Sequence, residues 1–457
     1  MRQNKLLFLL FAAACSLRSA VPCWAGADSE LRLKILSIPG VVEVKEARFD
    51  AADFREAYEV MIEQPLDHQR PDGEKFRQRL FISHAAYDKP VLLETEGYAA
   101  GWNRAGELTR LLGANQVIVE HRFFGRSVPS PLRWKYMTVR QSADDLHRVV
   151  TALKKIYSGR WVSSGVSKGG QTALFYKCFH PNDVDAAVPY SAPINVAQED
   201  PRLTQFLRSV GDAATRTRIK DYQTALFRRE DEILPFLRET AAKRHWTFAL
   251  GLAEAFEYGV LEYPLAFWQY GSVKPADIPA PDAPAAALFE HLMGMNTIFF
   301  YSDQGKAAFE PFMYQAFTEI GYYNYDLTDF KSVLKTLKNP TNLVLCPKDA
   351  VIVYDPSTMQ TVYHKLLYEA NHVIYIYGEM DTWAATAVPL IGRTDAIEII
   401  VRNGHHGAGI RDFSPEQKAL FTATLEEWLG LKLAGPAWSE RPGPSPRPMA
   451  GPGKEEQ

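Results

Sequence analysis

The feature that most constrains the fold of this chain is a serine flanked by glycines between a strand and a helix. Residues 165–169 read Gly-Val-Ser-Lys-Gly, an apolar strand is predicted over 161–163, and a helix over 171–179. The glycines permit a strained turn that exposes the serine hydroxyl, and a strand and a helix on either side are the context that this turn requires. A simple glycine-rich turn is the alternative interpretation, but the context favours Ser167 as a nucleophile.

The wider pattern predicts an α/β protein. Short apolar runs separated by turns over 58–93 indicate an antiparallel start to a sheet. Strands and helices then alternate, which is typical of a mostly parallel sheet. With the serine turn, this alternation predicts the α/β-hydrolase fold. The alternating elements are strands at 116–120, 161–163, 185–189, 373–377 and 396–401 and helices at 142–157, 171–179 and 415–429.

A long segment in the middle of the chain has a different composition. Residues 195–337 have a helical pattern and many aromatic side chains. They therefore predict a helical cap inserted into a hydrolase core, with 26–194 as the first part of the core and 338–433 as the second. The aromatic residues that lie close together in this segment are Trp246, Phe248, Phe256, Tyr258, Tyr263, Phe267, Trp268 and Tyr270.

Both ends of the chain differ from the globular part. Two cationic residues precede an apolar run over 6–14, and small residues follow it, so 1–25 is predicted to be a secretory signal peptide. The run is too short to span a bilayer. Three alanines precede Cys15, so a lipid anchor at that cysteine is the alternative, and in either case export to the periplasm or the extracellular space is expected. Pro, Gly and charge dominate 434–457, which predicts a disordered tail.

Charge and cysteine content exclude several classes of protein. The chain has 51 Lys and Arg against 54 Asp and Glu, a net charge of -3, and no basic cluster interleaved with aromatic residues, so nothing indicates nucleic-acid binding. Only Cys178 and Cys346 lie outside the predicted signal, so at most one disulfide can form and cysteines cannot supply a metal site. No phosphate-binding glycine loop or metal cluster is evident, and no cofactor is predicted.

A serine hydroxyl needs a base that takes its proton, and the base needs an acid that orients it. In the α/β-hydrolase fold these residues follow the serine in the order Asp, then His. Asp381 follows a strongly apolar strand, and His405 and His406 follow the next one, so they are expected at one edge of the sheet. Asp349 is a weaker candidate acid because a further strand separates it from the histidines. A metal site on the adjacent histidines is the alternative, but no nearby Cys or third His supports it.

The negative charge that develops on a substrate oxygen during attack needs backbone N–H donors. The N–H of Lys168 is one candidate, because it lies at the positive end of the helix that follows Ser167. The second donor is expected in the loop after an earlier strand, where residues 91–98 end in a glycine turn. The N–H of Gly97 or of Tyr98 is therefore the candidate, and a simple hairpin turn is the alternative.

Several further motifs occur together and in one order. Residues 120–127 read Glu-His-Arg-Phe-Phe-Gly-Arg-Ser, which resembles a signature shared by prolylcarboxypeptidase and dipeptidyl peptidase of the same branch. With the other motifs, the chain resembles more closely the secreted bacterial prolyl tri/tetrapeptidyl aminopeptidases, a sister family of serine peptidases. The resemblance covers 63–193 and 374–406 but not the cap, and it implies that the Glu-His-Arg run buttresses the active site. The other motifs are 63–68, 95–98, 134–146, 165–170 and 190–193.

The resemblance implies an exopeptidase that removes short peptides, often ending in proline, from free N-termini through an acyl-enzyme on Ser167. The resemblance also indicates which of the two histidines acts as the base. The closer relatives have an Asn-His-Gly-Ala stretch that favours His406, whereas the more distant branch favours His405. His406 is therefore the expected base, and His405 is the alternative. Thr382 and Ala384 depart from the Pro and Ser that are common in the family after the acid.

An aminopeptidase has to hold the ammonium group of its substrate, which requires a carboxylate at a fixed distance from the scissile bond. Glu96 is the leading candidate, and the cap residues Glu254, Glu257 and Glu262 are the others. For each of them a solvated surface charge is the simpler role. The aromatic cap offers faces that pack well on a proline ring, although packing inside the cap is the simpler role for any single aromatic residue.

Peptides with a free N-terminus are therefore the expected partners. An esterase or lipase on the same fold is the nearest alternative function, because the serine turn and its triad alone cannot tell an amide from an ester. A non-catalytic binding protein is a third, but such proteins usually lose a triad member, whereas Ser167, Asp381 and a histidine are all present here. The Glu-His-Arg motif favours the peptidase.

Overall fold

The computed structural model describes residues 29–433, and a nine-stranded sheet forms the centre of this part of the chain. The predicted signal peptide at 1–25 and the predicted tail at 434–457 lie outside the described residues. In chain order the strands are β1 (Val41–Glu46), β2 (Glu56–Pro65), β3 (Lys75–His84), β4 (Val91–Thr95), β5 (Asn115–Val119), β6 (Trp161–Val166), β7 (Ala186–Tyr190), β8 (Val373–Gly378) and β9 (Ala396–Val401).

The sheet is antiparallel at one end and parallel over the rest. Its spatial order is β1-β2-β3-β5-β4-β6-β7-β8-β9. Strands β1, β2 and β3 pair antiparallel, as do β3 and β5, and every pair from β5 to β9 is parallel. The prediction of an α/β-hydrolase fold with a mostly parallel sheet is confirmed. The carboxyl ends of β6, β8 and β9 therefore lie along one edge, where ligands bind in open α/β sheets.

One detail of the strand prediction is wrong. The apolar run at 91–93 belongs to β4, which pairs parallel with β5 and β6 and is not part of the antiparallel start. Its partners lie far along the chain, with Val91 opposite Asn115 on one side and Trp161 on the other. Local turns carry no information about such pairing. Strand β1 was not predicted either; its exposed and half-buried side chains give it only a weak apolar pattern.

Helices cover both faces of the sheet, as a parallel sheet requires. On one face the first, third and fourth helices enclose an apolar core with strands β2 to β6, and on the other the second and last helices pack on β4 and β6 to β9. The helices are α1 (Glu30–Leu36), α2 (Glu107–Leu112), α3 (Val139–Leu153), α4 (Lys168–Phe179), α5 (Pro201–Ser209), α6 (Ala213–Arg228), α7 (Glu230–Arg244), α8 (Leu252–Leu261), α9 (Tyr263–Tyr270), α10 (Ala285–Gly294), α11 (Asp303–Gln315), α12 (Ser357–Tyr368) and α13 (Pro415–Leu429). Gly430 ends α13 in the left-handed conformation, as expected of a C-terminal cap.

The segment between β7 and β8 is helical. Helices α5 to α12 lie within it, and α6 to α10 share an apolar core of their own that includes Phe227, Phe256 and Leu288. A second core joins the end of this segment to the sheet, because Phe312 and Phe317 pack in the same cluster as Leu174 of α4. The helical segment thus sits on the sheet through shared side chains, while the domain limits at 195 and 337 remain a prediction.

The two cysteines of the described part of the chain are both free thiols. Cys178 and Cys346 are buried, so the fold is held without the disulfide that their number would have allowed. Every helix within residues 29–433 is too short or too polar to cross a lipid bilayer.

A buried ion pair ties the loop after β5 to helix α3. The guanidinium of Arg122 donates from Nε and Nη2 to the two carboxylate oxygens of Asp145, each at 2.7 Å. Nη1 of Arg122 donates to the carbonyl oxygens of Leu66 and Tyr136 at 3.1 and 2.7 Å, and His68 Nε2 lies 2.7 Å from Asp145 Oδ1. Because both charges are almost completely buried, each depends on the other for its solvation.

Replacing Asp145 by alanine should destabilise the fold strongly. The change leaves the guanidinium of Arg122 buried without its counter-ion, which costs about 3–5 kcal/mol in the free energy of unfolding. Asp72, in an exposed turn, provides the matched control, and Asp72→Ala should change stability by less than about 0.5 kcal/mol. Urea unfolding followed by fluorescence measures both. Equal midpoints for the two variants would contradict this account of the pair.

Candidate active site

Ser167 occupies a strained turn between β6 and α4. Its backbone has φ 58° and ψ -122°, a conformation that residues other than glycine rarely adopt. The turn is fixed at both sides, since the N–H of Ser167 donates to the carbonyl of Tyr190 at 2.9 Å and its carbonyl accepts from Gln171 at 2.9 Å. The serine hydroxyl is partly exposed and has no hydrogen-bond partner among the described residues. This is the geometry that presents a hydroxyl to a substrate.

The two flanking glycines are required by close packing. A Cβ on Gly165 would lie 2.5 Å from the backbone carbon of Gly169, and a Cβ on Gly169 would lie 2.5 Å from the carbonyl oxygen of Thr95. Real Cβ atoms do not approach backbone atoms this closely. The hydroxyl of Thr95 also donates to the carbonyls of Ser164 and Gly169, at 3.0 and 2.8 Å. The start of α4 is therefore pressed against the end of β4.

The same packing gathers the predicted N–H donors. A Cβ on Gly97 would lie 2.5 Å from the Cβ of Lys168, so the turn after β4 touches the first residue of α4. Within residues 29–433, the N–H groups of Gly97, Tyr98 and Lys168 have no hydrogen-bond acceptor. Unpaired backbone donors beside a serine hydroxyl are what an oxyanion hole requires. The positive end of α4 adds to the attraction for negative charge.

Asp381 and His406 meet at the carboxyl edge of the sheet. Asp381 follows β8 and His406 follows β9, and His406 Nδ1 lies 2.9 Å from Asp381 Oδ2. Both side chains are buried. The N–H of Trp383 donates to Asp381 Oδ1 at 3.2 Å, and the N–H of His406 donates to the carbonyl of Gln269 at 2.9 Å. The carboxylate thereby fixes the imidazole with Nε2 free, which is the tautomer that a general base needs.

The alternative acid and the alternative base lie elsewhere. His405 Nδ1 contacts the carbonyl of Trp268 at 2.8 Å, so this ring is turned towards the end of α9 and away from Asp381. Asp349 accepts a hydrogen bond from Trp134 Nε1 at 3.1 Å, and within residues 29–433 no hydrogen bond or ion pair joins it to either histidine. The apolar run before Asp349 forms a 3-10 turn and not a strand, so it does not bring that carboxylate to the sheet edge.

Residues at the end of β7 connect the turn of Ser167 to the loop of His406 through hydrogen bonds. The N–H of Ser167 donates to the carbonyl of Tyr190, the last residue of β7. The hydroxyl of Ser191, which follows Tyr190, donates to the carbonyl of His406 at 3.5 Å. Ser191 itself has φ 47°. No direct hydrogen bond joins Ser167 to His406 among the described residues. Such a bond is often long before substrate binds and shortens in the complex.

The Glu-His-Arg run is a buried polar support beside this site. Glu120 accepts bonds from Arg79 at 2.5 Å, from the N–H of Ala100 at 2.9 Å and from Ser127 at 2.8 Å. His121 Nδ1 donates to the carbonyl of Arg122 at 2.9 Å, so His121 Nε2 is left as an acceptor for Lys168 Nζ at 3.3 Å. Burial lowers the pKa of Lys168 to about 7. The Glu-His-Arg run thus holds the side chain of Lys168, the residue that follows Ser167.

A cavity opens beside Ser167 and Lys168 between the sheet and the helical segment. Tyr98 lies on its wall with Phe309 and Phe312 edge-on to it, both at 5.8 Å between ring centroids. Of the cap aromatic residues named from the sequence, only Tyr270 lines this cavity; most of the others pack inside the helical segment. The remaining aromatic residues of the lining are Phe300, Tyr301, Tyr322, Tyr323 and Trp383.

The structure separates the candidate carboxylates. Glu96 does not line the cavity; it follows β4, and its two neighbours, Thr95 and Gly97, are the residues that contact the start of α4. Glu96 instead lies near Glu94 and Glu120, and burial raises its pKa to about 8. Glu254 does not line the cavity, and Glu257 accepts bonds from three backbone N–H groups in the helical segment. Glu262 lines the cavity, so its position favours it over Glu96.

Sequence reasoning missed several residues of the cavity wall. Asn195 and Trp383 lie in loops after β7 and β8, and Tyr323 follows α11. A tyrosine-rich run at 322–325 was the available signal, but aromatic residues in a helical segment are more often packing residues, and this run was not singled out. Thr382, which departs from the family's proline, donates its hydroxyl to the carbonyl of Leu265 at 3.1 Å.

Replacing His406 should abolish the reactivity of Ser167, whereas replacing His405 should not. A fluorophosphonate reports the nucleophilicity of the serine without any assumption about substrate. His406→Ala removes the only imidazole paired with Asp381 in the described chain, and labelling should slow by about 10³-fold or more. His405→Ala is the matched control and should label within about threefold of the parent chain. The reverse pattern would show that His405 is the base.

Replacing Gly97 should weaken the N–H site. The new Cβ of Gly97→Ala collides with Lys168 and displaces the turn, and loss of one such donor slows the chemical step by about 10²-fold. Gly101 has no atom within 4 Å of its virtual Cβ, so Gly101→Ala is the control in the same loop. Fluorophosphonate labelling rates compare the two. An unchanged rate in Gly97→Ala would exclude this turn from the site.

The chain is similar to known serine peptidases over most of its length. The family model described as PS-10 peptidase S37 matches residues 26–452. Prolyl tri/tetrapeptidyl aminopeptidase of Streptomyces mobaraensis is 33% identical over 416 residues, which covers 88% of this chain and 86% of that protein. Thymus-specific serine protease of Mus musculus is 30% identical over 152 residues, 29% of this chain and 30% of that protein.

Solved structures give a weaker likeness. The proline iminopeptidase of Mycobacterium smegmatis aligns with 81% of this chain and 97% of its own, at 14% sequence identity and a TM-score of 0.38. The family assignment therefore rests on the family model and the Streptomyces relative, which both extend over most of the chain and confirm the resemblance and the prediction of a serine peptidase. The chain belongs to the S37 family of serine peptidases.

Proposed function

We propose that the protein is an exported exopeptidase that releases tripeptides or tetrapeptides, with a preference for proline before the cut, from peptides with a free N-terminus. The observation that carries the catalytic part is the Asp381–His406 pair at the same sheet edge as the strained Ser167. The substrate part is supported by the name of the Streptomyces relative, a prolyl tri/tetrapeptidyl aminopeptidase.

The proposed reaction begins with proton transfer from the Ser167 hydroxyl to His406 Nε2 as the serine oxygen attacks the scissile carbonyl carbon. Asp381, which accepts from His406 Nδ1, stabilises the imidazolium that forms. The oxyanion accepts hydrogen bonds from the N–H of Lys168 and from that of Gly97 or Tyr98.

The tetrahedral intermediate then collapses to an acyl-enzyme. His406 gives its proton to the leaving amine, so the shortened peptide departs with a new N-terminus. Water enters, His406 takes one of its protons, and the hydroxide attacks the ester carbon on Ser167. Collapse of this second intermediate returns the proton to the serine oxygen and releases the short peptide as a carboxylic acid.

The cavity supports the preference for proline. Tyr98, Phe309 and Phe312 form an aromatic wall near Ser167, and a pyrrolidine ring packs well on aromatic faces. Proline also lacks an N–H, so an apolar wall leaves no donor of that residue unpaired.

Export is proposed from the sequence of residues 1–25, with a lipid anchor at Cys15 as the alternative fate of the segment. Mass spectrometry of the protein purified from its natural source distinguishes the two. A mature chain that begins after residue 25 supports secretion, and a diacylglyceryl-modified Cys15 at the new N-terminus supports anchoring.

The parent chain should release p-nitroaniline from Ala-Ala-Pro-p-nitroanilide and should act poorly on the same compound succinylated at its N-terminus. Ser167→Ala should lose about 10³-fold or more in kcat, because the nucleophile is gone. Ser163→Ala is the matched control, since this buried hydroxyl on β6 has no partner in the described structure, and it should retain activity. Equal rates on the free and succinylated compounds would contradict an exopeptidase and favour an endopeptidase or an esterase-like site.

A further inference from the structure

Glu262, between α8 and α9, is a buried carboxylate on the cavity wall without a cationic partner. Its side chain is almost fully buried, and no Lys, Arg or His lies within ion-pair distance among residues 29–433. Its partners are three tyrosine hydroxyls. Tyr301 donates to Oε1 at 2.8 Å, Tyr325 also donates to Oε1, and Tyr323 reaches both oxygens at 2.8 Å.

The two oxygens of this carboxylate are unequally used. Oε1 accepts from all three hydroxyls, whereas Oε2 accepts only from Tyr323, which it shares with Oε1. A carboxylate offers about four lone-pair sites, so Oε2 has capacity for a further donor. Burial raises the pKa of Glu262, and the tyrosine hydroxyls oppose that rise. A cation at Oε2 would stabilise the charged form further.

The charges of the cavity orient a bound peptide. Among the described residues that line it, Lys168 and Glu262 are the two with ionisable basic or acidic side chains. Lys168 is adjacent to the nucleophile, so a cationic group at that end would meet a second amine. Glu262 is the one carboxylate of the lining and therefore the one group on this wall that can neutralise a substrate ammonium.

Two further wall residues carry polar atoms that have no partner. Asn195 donates from its amide nitrogen to the carbonyl of Gly321 at 2.9 Å, which leaves Oδ1 buried and unpaired. Trp383, whose ring lies 5.9 Å from that of Tyr323, has an unpaired and buried Nε1. Buried polar atoms are otherwise nearly always paired.

We propose that Glu262 binds the α-ammonium group of the substrate through Oε2. This assignment rests on the proposed exopeptidase function and names the group that restricts it to free N-termini. The separation of Glu262 from Ser167 then limits how many residues fit between the ammonium and the scissile bond. The tyrosines hold the carboxylate in place, so they act as positioning residues.

A purely structural role for Glu262 makes a different prediction. In that case Glu262→Gln lowers stability and impairs all substrates alike. The experiment compares Ala-Ala-Pro-p-nitroanilide with its N-acetylated form, because the ratio of the two kcat/KM values does not change when activity is lost uniformly. The fluorophosphonate labelling rate of Ser167 reports separately whether the nucleophile is intact.

Glu262→Gln should reduce kcat/KM for the free peptide by about 10- to 100-fold, since a charge-assisted bond is lost, and should leave the acetylated peptide within about twofold. The ratio therefore falls towards one while labelling of Ser167 is unchanged. Glu257→Gln is the matched control, because this buried carboxylate in α8 bonds backbone N–H groups and does not line the cavity. It should lower the unfolding midpoint and keep the ratio of the parent chain.

Glu262→Asp is the second variant, in case Glu262→Gln fails to fold. It keeps the charge but withdraws the carboxylate by one methylene, and the ratio should again fall. A parental ratio in either folded variant would overturn the assignment of Glu262 and leave the exopeptidase function standing. If the parent chain itself does not prefer the free peptide, the exopeptidase function fails, and the assignment of Glu262 fails with it.

Discussion

The site depends on one close contact, the approach of the β6–α4 turn to the end of β4. Gly165, Gly169 and Thr95 meet there with no room for a Cβ, and the hydroxyl of Thr95 closes the contact. Ser167 adopts its strained conformation at this contact, which also brings Gly97 against Lys168. Strain of this kind persists only where the surrounding structure over-determines it. The parallel strands on either side supply that restraint.

Polar groups are buried on the core side and on the cavity side of this contact, and the two sets differ in how completely they are hydrogen-bonded. On the core side, Arg122 and Asp145 pair with each other, so they contribute rigidity and offer no free hydrogen-bonding group to the cavity. On the cavity side, Glu262 keeps unused hydrogen-bonding capacity at Oε2 and has no counter-ion among the described residues. A fold retains unpaired buried polar atoms at a cost in stability, and a ligand that pairs them recovers it. This contrast separates the supporting residues from the proposed binding residues.

The local sequence predicted the catalytic residues at the sheet edge better than it predicted the residues that line the cavity. The serine turn, the strands before Asp381 and His406, and the glycine after β4 are each short and contiguous, so their pattern predicts their structure. The parallel pairing of β4 was not accessible, because its partners lie far along the chain. Glu262 could be named but not preferred over Glu96, since the choice depends on which side of β4 faces α4 and on how the helical segment folds back over the sheet.

We expect a substrate peptide to lie in the cavity with its carbonyl end at Ser167 and its ammonium at Glu262. A crystal structure of the protein with the peptide boronic acid Ala-Ala-boroPro tests this directly. The account predicts a bond between boron and Ser167 Oγ, a boronate oxygen within hydrogen-bond distance of the N–H of Lys168, and the terminal nitrogen within hydrogen-bond distance of Glu262 Oε2. A boron–Ser167 adduct whose N-terminus points into solvent, away from Glu262, would contradict it.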